Sequence, residues 1–160
     1  MSSAIFIRLA NRDDTDVILH LFRTTIESVC AKDYTPLQLA AWAGSADDKE
    51  RWLKLIDEQF FYVAEIHEQL CGFASVTDEG YLDTLYVHKD FQDKGIASLL
   101  LNTIELKAKE LGLTKIHTDA SITAYPFFMK HGFAVTETYI KQRNGVEFLN
   151  RKMKKELKQG

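Results

Sequence analysis

Apolar and polar positions change their spacing several times along the chain, and each change marks a predicted element. Ile5, Ile7 and Leu9 alternate with Phe6, Arg8 and Ala10, the two-residue period of a strand. Asn11, Asp13 and Asp14 then offer capping side chains for a helix expected to run to about Ala31. Thr35 as N-cap and Pro36 at the first helical position define a second helix over 36–43, closed by Gly44, and 47–59 reads as one more turn-rich helix.

Beyond these helices the pattern becomes β-rich. Runs over 61–66 and 70–77 flank His67-Glu68-Gln69, and Asp78-Glu79-Gly80 precedes a third run over 81–88, which together predict an antiparallel meander. From Gly95 to Leu111 the apolar residues Ile96, Leu100, Ile104 and Ala108 recur every fourth position, while Ser98, Asn102, Glu105 and Lys109 turn away. This is the clearest helix in the chain. A strand over 115–120 follows, so strand, helix and strand make a unit whose two strands should be parallel. A short helix over 122–131 ends at Gly132, and Asn144-Gly145 joins strands over 133–140 and 146–153 as a hairpin. The order βααβββαβαββ, plus the turn-rich segment, describes an α/β layered fold without repeats or linkers, and 1–160 is expected to be one domain.

Composition narrows the possible partners. Twenty Lys and Arg against 23 Asp and Glu leave a net charge of −3, so no overall basic field is present to hold nucleic acid. The one basic stretch, 151–158, is expected to be a solvated tail. Cys30 and Cys71 are the only cysteines and lack metal-type spacing, so neither a metal site nor a disulfide framework is expected. No apolar run reaches the ~20 residues of a membrane helix, and no signal-peptide core opens the chain, which points to a soluble cytoplasmic protein with no membrane partner.

The most informative segment is Gln92-Asp93-Lys94-Gly95-Ile96-Ala97, which connects a predicted strand to the start of the best helix. A helix start presents free N–H groups and about half a positive charge, and Gly95 permits close backbone approach, so a pyrophosphate could be held there. Leu85-Tyr86-Val87-His88, four spacer residues and then Gln92-x-x-Gly95-x-Ala97 resemble motif A of the GNAT acetyltransferases, whose signature is Gln/Arg-x-x-Gly-x-Gly/Ala. The block over 119–133, Asp-Ala-Ser-Ile-Thr-Ala-Tyr-Pro-Phe-Phe-Met-Lys-His-Gly-Phe, resembles the same family's later helix. Tyr-Thr-Pro-Leu-Gln-Leu-Ala-Ala-Trp over 34–42, the pair Phe127-Phe128 and Arg143-Asn144-Gly145-Val146 are similar to the YafP-like bacterial branch.

The resemblance implies a GNAT fold, in which a mixed, mostly antiparallel sheet with helices on both faces splays apart between its fourth and fifth strands. It implies that acetyl-CoA is the co-substrate and that an acetyl group passes to a primary amine, on a small molecule or a peptide, by direct attack in a ternary complex. Main-chain groups of Leu85, Tyr86 and Val87 would then pair with the pantetheine amides. The loop Gln92, Asp93, Lys94, Gly95, Ile96, Ala97 and Ser98 would hold the pyrophosphate, and Phe127 and Phe128 would flank the thioester. Asp93 stands where a second Gly is frequent, so its carboxylate is expected to point to solvent. An acyl-CoA sensor with the same fold and no turnover is the competing reading, and a homodimer through an exposed β edge is compatible with either.

An amine with a pKa near 10.4 is neutral in only about one molecule in a thousand at pH 7, so a general base would help. The candidates are Asp83, Glu79, His117 and Asp119, with Asp83 the first choice because the family often carries an acidic base on this strand. Simple alternation puts Asp83 on the face of Leu85 and Val87. A main-chain N–H at a bulge in the same strand would serve as oxyanion donor. Where many relatives keep a Tyr acid this chain has Phe128, which leaves Tyr125 or water to protonate the thiolate. Glu27, Tyr34 and Trp42 fall in the region that resembles the family's acceptor-binding helices, with core packing between the first helices and the sheet as the alternative for Trp42.

Overall fold

The computed structural model describes residues 4–158. Its seven strands form one sheet of order β1-β2-β3-β4-β5-β7-β6. They are β1 (Phe6–Leu9), β2 (Phe60–Ile66), β3 (Gln69–Val76), β4 (Tyr81–Val87), β5 (Lys115–Ala120), β6 (Ala134–Arg143) and β7 (Val146–Glu156). All neighbouring pairs are antiparallel except β4 and β5. The parallel pair arises because the crossover from β4 to β5 runs through a helix, α4 (Ile96–Glu110), and a crossover of this length returns the chain in the same direction.

Helices cover both faces. On one face α4 buries Ile96, Leu100, Leu101, Ile104 and Ala108 at the three- and four-residue spacing of a helical stripe. It sits close to the sheet because β3 carries Gly72 beneath it, where a Cβ would lie 3.0 Å from Ile96 Cγ2 and 3.2 Å from Leu100 Cδ1. The short helix α5 (Tyr125–Lys130) adds Phe128 to the same cluster. The other face is covered by α1 (Thr15–Val29), α2 (Pro36–Ala43) and α3 (Lys49–Glu58), whose apolar side chains meet Phe61, Val63 and Phe73 of the sheet.

Local chemistry fixes the helix starts. Thr35 and Gln38 form a reciprocal capping box ahead of Pro36, and Asp48 Oδ1 accepts from Arg51 N at 3.2 Å to begin α3. The segment read as turn-rich is therefore a regular ten-residue helix, anchored by Trp52 and Ile56 one turn apart. Among the described residues no helix is long and apolar enough to cross a membrane.

The structure corrects the expectation of a solvated basic tail. Residues of that stretch up to Glu156 belong to β7, which lies between β5 and β6 with Ala120 opposite Arg151 and Lys115 opposite Glu156. Met153 and Leu157 point into the core while Lys152 and Lys154 stay exposed, so the lysines are the outer face of a strand. The hairpin partner β6 also runs three residues beyond the expected end, to Arg143.

Candidate active site

The parallel strands part soon after they meet. Tyr81 pairs with His117 and Leu82 with Thr118, and there the ladder stops. Thr118 Oγ1 closes the junction by donating to Leu82 O at 2.8 Å. From Asp83 to Val87 the β5 side of β4 is an open edge at the head of a gap, the position at which open sheets bind ligands.

A β-bulge sits at the mouth of this gap. Ser75 pairs with Thr84 but Val76 with Leu82, so Asp83 is the extra residue of β4. The bulge resets the alternation. Leu82 and Leu85 both pack toward α4, and Asp83 is turned to the opposite side, where it accepts from Gln59 Nε2 at 2.8 Å. The expected placement of Asp83 on the face of Leu85 and Val87 is corrected by that one inserted residue.

The gap opens into a cavity of 290 Å³. Its floor on the α1–α3 side is aromatic, with Tyr34 and Trp42 ring centroids 5.3 Å apart, Phe148 5.9 Å from Tyr34, and Phe22 5.0 Å from Tyr86. Tyr34 OH accepts from Ile122 N at 2.8 Å, and Thr123 Oγ1 donates to Asp33 Oδ2 at 2.7 Å. These two bonds fasten the segment between α1 and α2 to the turn before α5, so the expected acceptor region and the expected thioester region form one enclosure. Burial pushes the Tyr34 hydroxyl above its ordinary pKa, and the Ile122 amide only partly offsets this. Cys30, on the same wall, is pushed up to about 11 by burial, which makes it an inert thiol at neutral pH.

Two carboxylates and three cations reach the lining. Asp119, at the end of β5, accepts from Tyr81 OH at 2.7 Å and from Tyr139 OH at 2.9 Å, one phenol on each oxygen. Burial, reinforced by the Asp119 carboxylate, drives the Tyr81 pKa far upward, so this phenol stays protonated as a donor. Lys141 and Arg143 come from β6 and Arg51 from α3. Burial lowers the Lys141 pKa, and the neighbouring Arg143 charge lowers it further.

The loop between β4 and α4 turns sharply into the helix. Gln92 Nε2 donates to Val87 O at 2.7 Å and bends the loop back onto the end of β4. Asp93 and Gly95 adopt left-handed φ angles of 60° and 80°. Gly95 is the N-cap of α4 and no side chain caps that helix start. Ile96 is buried and anchors the turn, Ala97 faces the cavity, and Asp93, Lys94 and Ser98 are exposed.

Not every expected residue reaches the cavity. Leu85, Tyr86, Val87, Gln92, Ala97, Phe127, Phe128, Tyr34, Trp42 and Asp83 line it. Glu27 is exposed and lies 3.9 Å from Arg23, outside the lining. Tyr125 is also outside it, its ring 4.2 Å beneath the Arg151 guanidinium. Glu79, in the turn before β4, and His117, paired with Tyr81 at the junction, are exposed and outside the lining. Sequence reasoning missed Gln59, Tyr81, Arg51 and the trio Tyr139, Lys141 and Arg143. The i, i+2, i+4 spacing of that trio is the available signal, hidden because the apolar pattern of the strand ends at Ile140.

A mixed sheet parted at its parallel strands, with an uncapped helix start beside the parting, defines the architecture of an acyl-coenzyme A-dependent transferase. The chain belongs to the GNAT acetyltransferase family: residues 30–157 match the acetyltransferase (GNAT) domain. The uncharacterized N-acetyltransferase YafP of Escherichia coli strain K12 is 32% identical over 146 residues, covering 91% of this chain and 92% of YafP. The crystal structure of a GCN5-related N-acetyltransferase from Rhodopseudomonas palustris matches with a TM-score of 0.94 at 30% identity, over 98% of this chain and 99% of that one. The PaiA N-acetyltransferase of Thermoplasma acidophilum, solved with coenzyme A, shares the fold at a TM-score of 0.77 and 22% identity, over 96% and 99% of the two chains.

Proposed function

We propose that this acyltransferase moves an acetyl group from acetyl-CoA to a primary amine by direct attack in a ternary complex. The observation that carries the reading is the parting of β4 and β5 after Leu82, which joins an open strand edge, an uncapped helix start and a bulged carboxylate in one cavity. The residues present fit the co-substrate: a pyrophosphate suits the N–H groups of the Gln92 to Ser98 loop, and pantetheine amides suit the stretch Leu85, Tyr86 and Val87 on the edge of β4 that β5 leaves open. Acetyl-CoA would supply the activated thioester, and the coenzyme A held by the Thermoplasma acidophilum protein of the same fold supports this use of it.

The chain's own part is to orient the amine and move its protons. Asp83 is the base we assign, because Gln59 holds Oδ2 and leaves Oδ1 to accept a proton directly or through a water. Asp119 is a poorer choice, since each of its oxygens already accepts a phenol. A main-chain N–H at the Asp83 bulge is the donor assigned to the acetyl oxygen as charge develops there. The departing thiolate takes its proton from water, because Phe128 has none to give and Tyr125 lies outside the cavity. A thiol pKa of about 8.5 makes that departure feasible without an acid. The buried free thiols Cys30 and Cys71 suit a reducing, cytoplasmic setting.

The reading is tested by following thiol release from acetyl-CoA with a panel of primary amines while coenzyme A binding is measured by calorimetry. Release that depends on the amine supports it. Tight coenzyme A binding with no release from any amine would leave a sensor in its place.

A further inference from the structure

Among the described residues the cations of the cavity make no ion-pair contact, and Asp119 and Asp83 act on Lys141 only from a distance. Arg51, Lys141 and Arg143 line it, and among the described residues none of the three lies within 4.0 Å of a carboxylate. The two lining carboxylates are engaged elsewhere, Asp83 by Gln59 and Asp119 by Tyr81 and Tyr139. Lys141 and Arg143 are half-buried, two residues apart on the inner face of β6, so folding sets like charges side by side in a partly desolvated wall. A chain of net charge −3 has no general excess of cations that would make such a cluster incidental.

Such an arrangement is costly without an anion and is relieved by one. The phosphates of coenzyme A are poor candidates, because the uncapped start of α4 that suits them lies on the opposite face of the sheet from α3 and the aromatic wall. We propose that the acceptor amine carries an anionic group, a carboxylate or a phosphate, which Arg51, Lys141 and Arg143 hold while its amine lies toward Asp83. The wall rings Tyr34, Trp42 and Phe148 cover the apolar part of the acceptor. The lowered pKa of Lys141 fits a cation waiting for such a partner. This inference rests on the transferase reading for its geometry, but its central claim concerns binding and is tested without turnover.

The experiment uses pairs of amines that differ in the anion: L-phenylalanine and phenethylamine, L-methionine and 3-(methylthio)propylamine, O-phosphoethanolamine and ethanolamine. Each is titrated by calorimetry into the protein loaded with desulfo-coenzyme A, which cannot donate an acyl group. The anionic member of at least one pair is expected to bind about thirtyfold or more tighter, and which pairs respond separates carboxylate from phosphate. Lys141→Met and Arg143→Met should each cut that preference by about tenfold, while Lys141→Arg retains most of it, with desulfo-coenzyme A affinity unchanged as the check on folding. In the wild type the preference should also shrink as salt is raised, which tests the idea should a variant misfold. Equal binding within every pair, no binding by any member, or a preference that survives both Met substitutions overturns the proposal. An anion preference in calorimetry with no thiol release from acetyl-CoA would count against the transferase reading and leave this one standing.

Discussion

Gln59 Nε2 donates to Asp83 Oδ2 at 2.8 Å, tying the residue that ends α3 to the extra residue of the β4 bulge. The bond sets the amide orientation, since a flipped Gln59 would oppose its oxygen to a carboxylate. Gln59 Oε1 is buried and makes no hydrogen bond among the described residues, and the Nε2 bond to Asp83 holds the amide. Strand irregularity and helix end thus fix one carboxylate between them.

Asp83→Asn keeps the shape and the contact with Gln59 but removes the basicity. If Asp83 takes the amine proton, kcat/KM should fall by roughly a hundredfold or more, while acetyl-CoA affinity stays within about twofold. Pre-steady-state thiol release and calorimetry separate the two effects. Wild-type turnover would hand the role to water.

Gly95 offers open space around its Cα, yet its φ of 80° is strained for any residue with a Cβ. Gly95→Glu adds that strain and a negative charge at the α4 start. Coenzyme A affinity should drop by about a hundredfold or more while circular dichroism and thermal unfolding show a folded protein. Unchanged affinity would remove the pyrophosphate from this loop.

The loop was legible in the sequence because its shape depends on its own residues: Gln92 reaches back only five positions to Val87, and Gly95 supplies the left-handed turn. The same locality made α4 and the Asn144-Gly145 hairpin readable. The face of Asp83 was not readable, because the bulge is set by mismatched pairing between two strands and neither strand's pattern contains it. Lys141 and Arg143 were missed for a related reason. Past Ile140, β6 is held by pairing with β7, and its exposed, polar outer face carries no hydrophobic alternation to announce a strand. The lysines of β7 concealed Met153 and Leu157 in the same way.

Arg8 grips Asp14 with two hydrogen bonds of 2.9 Å, and Asp14 Oδ2 also accepts from Asn11 N at 2.8 Å. The Arg8 guanidinium holds the Asp14 carboxyl below the usual carboxylate range; partial burial opposes this and the Asn11 amide adds to it. A depressed folded pKa means the contribution is full above the unfolded value of about 3.9 and is lost as pH falls through the folded value. Asp14→Asn should therefore lower Tm by about 2–6 °C at pH 7. The gap between variant and wild type should narrow below about pH 4. A Tm difference independent of pH down to acid unfolding would show that the charge is not what matters.

Tyr125 decides between two routes for the departing thiolate. Its ring lies under the Arg151 guanidinium at 4.2 Å and packs at the edge of the α4-side core, outside the cavity wall, whereas Phe127 and Phe128 of the same short helix are on that wall. A phenol so placed would enter the cavity only if α5 repacked. Tyr125→Phe keeps the ring and its contact with Arg151, so turnover should stay within about twofold of wild type. Phe128→Tyr places a hydroxyl on the cavity side of a residue that is only 3% exposed, and it should bring at most a few-fold gain, since a thiolate of pKa about 8.5 already leaves readily. Rates are read from thiol release under saturating acetyl-CoA, with affinity checked by calorimetry. A tenfold or greater loss in Tyr125→Phe, recovered when Phe128→Tyr is added, would establish a phenol as the acid and require α5 to move when substrate binds.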